Sequence, residues 1–143
     1  MNSIDNCIEL SDNLFEKGSR ILYTYRNSIR IEYTMYKFTK DITFKIGTVF
    51  YKKKSGVCMT VIILLKFSTD AFIWMRNAYP SICDRYNAEW VGDECVKFTY
   101  NIQINKTQMK LPISKAMLYV YRDIEDMYNT VYKLISTVKE NVQ

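Results

Sequence analysis

Between residues 20 and 67 apolar and polar side chains alternate with the two-residue period of half-buried strands. Strands are expected at Arg20–Arg26 and Ile29–Phe38, joined by a tight turn at Asn27-Ser28. In the second, Ile29, Ile31, Tyr33 and Met35 share one face, and Arg30, Glu32, Thr34 and Tyr36 the other. A third strand, Ile42 to Lys52, sets Ile42, Phe44, Ile46, Thr48 and Phe50 against Thr43, Lys45, Gly47, Val49 and Tyr51. A turn at Lys53-Lys54-Ser55-Gly56 leads into Val57 to Phe67, which is apolar on both faces and therefore belongs at the centre of a sheet. Val96 to Ile104 alternates again, with Val96, Phe98, Tyr100, Ile102 and Ile104 inward and Lys97, Thr99, Asn101 and Gln103 outward. Asn105-Lys106-Thr107 then turns the chain into a short strand, Gln108 to Leu111.

The period breaks twice. Over Asp70 to Asn87 the run Phe72-Ile73-Trp74-Met75 suits either a short strand or the first turns of a helix, and Pro80 limits whatever it starts. The insert near 68–95 is expected to be irregular with some helix. From Ile113 the spacing becomes helical, with Ser114 as the cap, and Met117, Val120, Ile124, Met127, Val131, Leu134 and Val138 recur every three or four residues. Tyr121, Tyr128 and Ile135 widen that stripe. The pattern predicts one α+β domain over 1–143: an acidic segment at 1–19, mainly antiparallel strands over 20–112, and one long helix, 113–140, packed on the sheet.

Composition narrows the function. The 143 residues include no histidine, which removes Ser–His–Asp and Cys–His nucleophile schemes and every His-ligand metal site. Four glycines at 18, 47, 56 and 92 cannot form a phosphate-cradling loop. Cys7, Cys58, Cys83 and Cys95 lack a CxxC pair and read as free thiols. Paired carboxylates occur at Asp93-Glu94 and at Asp123, Glu125 and Asp126; Asp123 and Asp126, three apart on a helix, could share a metal, but an exposed helix face is the ordinary account of the trio. No catalytic residue, metal or cofactor is expected. The longest apolar run, Val57 to Leu65, is half a membrane span, and the acidic start is the opposite of a basic secretory leader. An intracellular protein with no membrane partner is expected.

The net charge of +5 is unevenly spread. Residues 1–16 hold four acids and no base, residues 17–66 hold eleven bases against Glu32 and Asp41, and residues 67–143 balance at nine and nine. A net +9 within fifty residues concentrates polyanions and releases counterions from phosphates. Aromatic residues, 15% of the chain with twelve tyrosines, are interleaved with these bases. Single-stranded nucleic acid calls for this pair of features, cations along its backbone and flat side chains under its bases. Lys52, Lys53 and Lys54 belong at a hairpin tip, where their stems cannot pack inward, and Lys66 faces away from Val61, Ile63 and Phe67. A second class of function is a structural or interaction protein, such as a viral or host-modulating assembly factor. It would dock, or dimerise, through Met117, Val120, Ile124, Met127, Val131 and Leu134.

The run Phe44-Lys45-Ile46-Gly47-Thr48-Val49-Phe50-Tyr51 resembles the opening of the positive cofactor four family of transcriptional coactivators. A basic hairpin with glycine and an apolar strand ending in an aromatic follow in that family, as Lys52-Lys53-Lys54-Ser55-Gly56 and Val57 to Phe67 do here. The family's closing lysine-bearing strand and helix are matched by Lys110-Leu111, Asp123-Ile124-Glu125-Asp126 and Lys133-Leu134. The resemblance covers residues 42–67 and 106–135, whereas the first forty residues and the insert at 68–95 have no counterpart. It implies a non-enzymatic homodimer whose sheets form a saddle for single-stranded or melted DNA, with RNA as an alternative, alongside transcription or replication machinery. It places the protein in the nucleus, and richness in Ile, Asn, Lys and Tyr, the mark of an AT-rich genome, adds a site of viral DNA synthesis as the alternative. It also implies that Lys52–Lys54 hold phosphates, that Phe67 stacks a base beside Lys66, and that Lys110 contacts backbone. The hairpin tip lacks the family's aromatic, for which Tyr51 or Trp74 would substitute. With Lys45, Lys97 and Lys106 these residues make up the expected nucleic-acid surface.

Overall fold

A computed structural model describes residues 4–15, 20–25, 28–33, 36–37, 41–78, 80–92 and 94–141. The elements run α1 (Ile4–Leu14), β1 (Arg20–Tyr25), β2 (Ser28–Tyr33), β3 (Tyr36–Lys37), β4 (Ile42–Lys53), β5 (Gly56–Phe67), α2 (Thr69–Ala78), α3 (Ile82–Arg85), β6 (Glu89–Val91), β7 (Cys95–Asn105), α4 (Lys106–Met109) and α5 (Ile113–Asn141). The strands form one antiparallel sheet in the order β1-β2-β4-β5-β7-β6, with β3 paired to β4. The fold is α+β, as the switch of period after residue 112 predicts.

The sheet is organised by the hairpin of β4 and β5, twelve residues each, in continuous register from Ile42 opposite Phe67 to Lys53 opposite Gly56. β5 lies between β4 and β7, the central position its two apolar faces predict. On one face Met59, Val61, Ile63, Leu65 and Phe67 meet Val120, Ile124, Met127, Val131 and Leu134 of α5 in a single core. The buried apolar residues of α1, α2 and α3 belong to the same core, whereas Val49 and Cys58, buried on the opposite face of the sheet, do not. Among the described residues, all the helices that bury side chains therefore cover one face and leave the other open.

Several sequence expectations are corrected. The acidic N-terminal segment contains helix α1, whose Cys7, Leu10 and Ser11 are buried at helical spacing. Asp, Asn and Ser are weak helix formers, so tertiary contact supplies what propensity does not. The Ser11 hydroxyl bonds the Tyr33 hydroxyl and Thr48 Oγ1 (2.9 Å), and the Tyr33 hydroxyl donates to Asp12 Oδ1 at 3.2 Å. The strand expected at Ile29–Phe38 is two strands. Glu32 pairs with Gly47 but Tyr36 with Phe44, a shift of one residue that ends the alternation read through Tyr36. Ile29, Ile31 and Tyr33 do share the buried face, and Met35 and Thr34 lie outside the described residues.

The 68–95 insert is ordered as α2, α3 and β6. Ser68 opens α2, its hydroxyl accepting from Ala71 N–H (3.3 Å) and donating to Asp41 Oδ1 (2.8 Å). The strand expected at Gln108–Leu111 is absent. Asn105 and Gln108 form a reciprocal capping box that winds Lys106–Met109 into one helical turn. Ser114 is not the cap of α5: the helix begins at Ile113, and the Pro112 carbonyl accepts from Lys115 and Ala116 N–H.

Two substitutions on α5 test this packing. Met127 is fully buried and Leu118 is 74% exposed. Met127→Ala is expected to lower unfolding stability by about 2–5 kcal/mol in urea denaturation, and Leu118→Ala by less than about 0.5 kcal/mol. Comparable losses would mean that α5 presents a different face to the sheet. Gly56, at φ +144°, holds the hairpin tip so close to β7 that a Cβ would lie 1.9 Å from the Ile104 carbonyl oxygen. Gly56→Ala is expected to destabilise by about 2 kcal/mol or more in the same assay.

Candidate nucleic-acid interface

Residues directly opposite in an antiparallel pair share a face, so the register draws the open surface row by row. Beside Lys53, Gly56 and Asn105 at the hairpin tip itself, Ser28, Tyr51, Cys58 and Gln103 form the first row. Tyr23, Arg30, Val49, Thr60 and Asn101 form the next, followed by Glu32, Gly47, Ile62 and Thr99. Lys45, Leu64, Lys97 and Glu89 come fourth, and Thr43, Lys66 and Cys95 lie at the far end. Tyr51 is 46% and Tyr23 49% exposed, so two aromatic rings stand on the half of this face nearest the tip.

Polar side chains on that half are fixed by one another. Thr60 Oγ1 donates to Asn101 Oδ1 at 2.7 Å, which turns the Asn101 amino group outward. Gln103 Nε2 donates to Cys58 Sγ at 3.3 Å and covers the thiol. In the middle of the face Glu32 accepts from Arg30 (2.7 Å) and Lys45 (3.1 Å). These groups rim a shallow depression of about 40 Å³ over Gly47, Val49, Ile62 and Leu64. That is room for a water, not for a substrate. Among the described residues no group of His, Cys, Asp and Glu could hold a metal ion.

The predicted basic residues divide into three sets. Lys52, Lys53 and Lys54 are exposed at the hairpin tip, and the Lys106 N–H donates to the Ser55 carbonyl at 3.1 Å, which ties the start of α4 to that tip. Lys110, also exposed, follows at the end of the same helical turn. These five lysines have no ion-pair partner among the described residues. Lys45 and Lys97 lie on the open face but are neutralised, by Glu32 and by Glu89 (2.9 Å). Lys66 is exposed on the open face too, but ten residues along β5 from Gly56, a separation of about 33 Å.

Two aromatic expectations fail. Phe67 is 2% exposed and packs in the core on the helix side, because its parity in β5 is that of Ile63 and Leu65. It cannot stack a base. Trp74 lies on α2 and packs against that core, so it does not supply a ring to the open face. Tyr51 remains. The stripe of α5 is likewise committed: Val120, Ile124, Met127, Val131 and Leu134 are buried against the sheet and Met117 is half-buried. Docking or dimerisation through those residues would require unpacking the core. Sequence reasoning misses Tyr23, Arg30, Thr60, Asn101 and Gln103 as surface candidates, although outward parity in β7 points to the two amides.

Comparison with protein-family models, curated proteins and solved structures finds no match for this chain.

The four cysteines are free thiols in different settings. Burial pushes the Cys83 thiol up to about 11, with the nearby Asp84 carboxylate adding to the effect, and burial also raises Cys7. At pH 9, where an ordinary thiol is about three-quarters ionised, Cys83 is about one part in a hundred thiolate. Alkylation of the native protein at pH 9, followed by mass spectrometry, is therefore expected to label half-exposed Cys95 first and Cys83 and Cys7 last. Early labelling of Cys83 would contradict its buried placement.

Proposed function

We propose that the protein is a non-enzymatic single-stranded nucleic-acid-binding protein that takes its ligand on the open sheet face from the hairpin end. One juxtaposition carries this reading. Unpaired Lys53 and Lys54 at the β4–β5 tip, with Lys106 and Lys110 of α4, adjoin a face on which Tyr51, Tyr23, Asn101 and Gln103 are turned outward, while Lys52, opposite Val57, extends the charge to the helix side of the tip. Lysines hold backbone phosphates as point charges, and exposed rings accept bases with a gain of about 1–3 kcal/mol per stack. The resemblance to the positive cofactor four family favours DNA over RNA, and favours a role in transcription or replication. The dimer it implies would use a surface other than the stripe of α5, which the sheet already covers.

The test is fluorescence anisotropy with a labelled single-stranded oligonucleotide at about 50 and 200 mM salt. Three to five phosphates neutralised correspond to a slope of about −2 to −3.5 in log K against log salt, or roughly 20- to 100-fold weaker binding at the higher salt. Charge reversal of Lys52, Lys53 and Lys54 together is expected to flatten that slope and abolish binding at the higher salt. Tyr51→Ala is expected to weaken binding at both salts by roughly the same factor, between about 5- and 100-fold. Binding that ignores salt and survives the triple reversal would overturn the proposal.

A further inference from the structure

The depression of about 40 Å³ in the middle of the open sheet face has Gly47, Val49, Ile62 and Leu64 as its floor and Arg30, Glu32 and Lys45 as its rim. It exists because one position of the floor has no side chain. Gly47 lies between Glu32 of β2 and Ile62 of β5, with Lys45 and Val49 on the same face, so a side chain there would rise into the opening. A Cβ added to Gly47 would meet nothing closer than the Ile31 carbonyl oxygen at 3.5 Å and Glu32 Cγ at 4.0 Å, which are ordinary van der Waals contacts. In contrast to Gly56, neither a close approach nor a positive φ calls for glycine at this point. Ile62 and Leu64 are only half-buried, so apolar surface stays open in the floor.

We propose, resting on the reading of this face as a single-stranded nucleic-acid site, that the depression seats the 5-methyl group of a thymine and makes the face selective for that base. Size and polarity choose the group. About 40 Å³ admits one small group and not a whole base. A water of that size needs two to four polar partners, and three aliphatic side chains in the floor offer it none. A methyl group needs none. Among the bases of DNA thymine alone carries one, on the ring edge beside its O4 acceptor. The rim supplies the donor that O4 requires. The Arg30 side chain is 58% exposed, and of its five N–H groups the ion pair with Glu32 engages those on one nitrogen, at 2.7 Å. Lys45 holds the second Glu32 oxygen at 3.1 Å, so neither carboxylate oxygen is left bare to repel O4. Cytosine would turn an amino group, a second donor, toward Arg30 and would leave the floor unfilled. The exposed rings are close by in the register: Val49 of the floor shares a row with Tyr23 and lies two residues from Tyr51. The methyl is therefore seated next to the rings on which neighbouring bases stack.

The probes are labelled oligonucleotides of about 15 nucleotides, oligo(dT), oligo(dU) and oligo(dC), titrated into the full chain by fluorescence anisotropy at about 50 mM salt. Deoxyuridine differs from thymidine by the methyl alone. One buried methyl is expected to make oligo(dT) bind about three- to fivefold more tightly than oligo(dU), with oligo(dC) no tighter than oligo(dU). Gly47→Ala puts a methyl of the protein's own into the depression. It is expected to abolish the difference between oligo(dT) and oligo(dU) without lowering the melting temperature. In the complex of the unaltered chain, nuclear Overhauser contacts from a thymine methyl are expected at the side-chain methyls of Ile62 and Leu64. Equal affinity for oligo(dT) and oligo(dU) with the salt dependence intact would overturn the thymine proposal and leave nucleic-acid binding standing. A preference that survives Gly47→Ala, or thymine methyl contacts confined to Tyr23 and Tyr51, would overturn it as well. Failure of all three oligonucleotides to bind at low salt would overturn both readings.

Discussion

The structure depends on a mismatch between one strand and its cover. β5 is apolar on both faces, yet the helices bury only the face bearing Met59, Val61, Ile63, Leu65 and Phe67. Burial there secures α5 along its whole length, since its buried residues from Ala116 to Val138 recur at the spacing that follows one side of a helix. It also fixes the register of the sheet, because a slip of one residue would exchange the two faces of every strand. Among the described residues the other face receives no helix. Ile62 and Leu64 are half-buried there beneath the stems and ion pairs of Arg30, Glu32, Lys45 and Lys97. The mid-face ion pairs are thus part of the shielding of the sheet, and their lysines are committed to it.

That division of labour reshapes the charge. A segment with net +9 looks in sequence like one broad basic field. In the fold, Lys45 pairs with Glu32, Lys66 stands about 33 Å from the tip, and among the described side chains the exposed lysines that gather at the tip come from two distant parts of the chain. Lys52–Lys54 arrive on the β4–β5 hairpin and Lys106 and Lys110 on α4, brought together by one backbone hydrogen bond from Lys106 to Ser55. Gly56 permits the approach, since any side chain there would strike the Ile104 carbonyl. A conformational requirement at one glycine therefore helps assemble the basic corner at the hairpin tip.

Strand periodicity is legible wherever burial is one-sided. Ile42–Phe50 and Val96–Ile104 carry clean alternation and fold as expected, and α5 follows its stripe to within a residue or two. What is not legible depends on partners distant in sequence. α1 is made by weak helix formers held down through Ser11, Tyr33 and Thr48, and no local pattern announces that contact. The Gln108 segment resembles a strand because its capping box is a two-residue event rather than a period. The family resemblance assigns Phe67 to the ligand, although its parity with Ile63 and Leu65 places it inside. By the same logic, the alternation of β7 alone turns the amides Asn101 and Gln103 outward. Parity is the better guide to the surface than motif.

The open sheet face is the working face in this account, and amide chemical-shift mapping of the full chain with a single-stranded oligonucleotide tests that directly. Perturbations are predicted to cluster at Tyr23, Tyr51, Lys52–Lys54, Asn101, Gln103 and Lys106, and to fade toward Lys66 at the far end of the sheet. Perturbations confined to α1 and α5, or spread evenly over the surface, would contradict it.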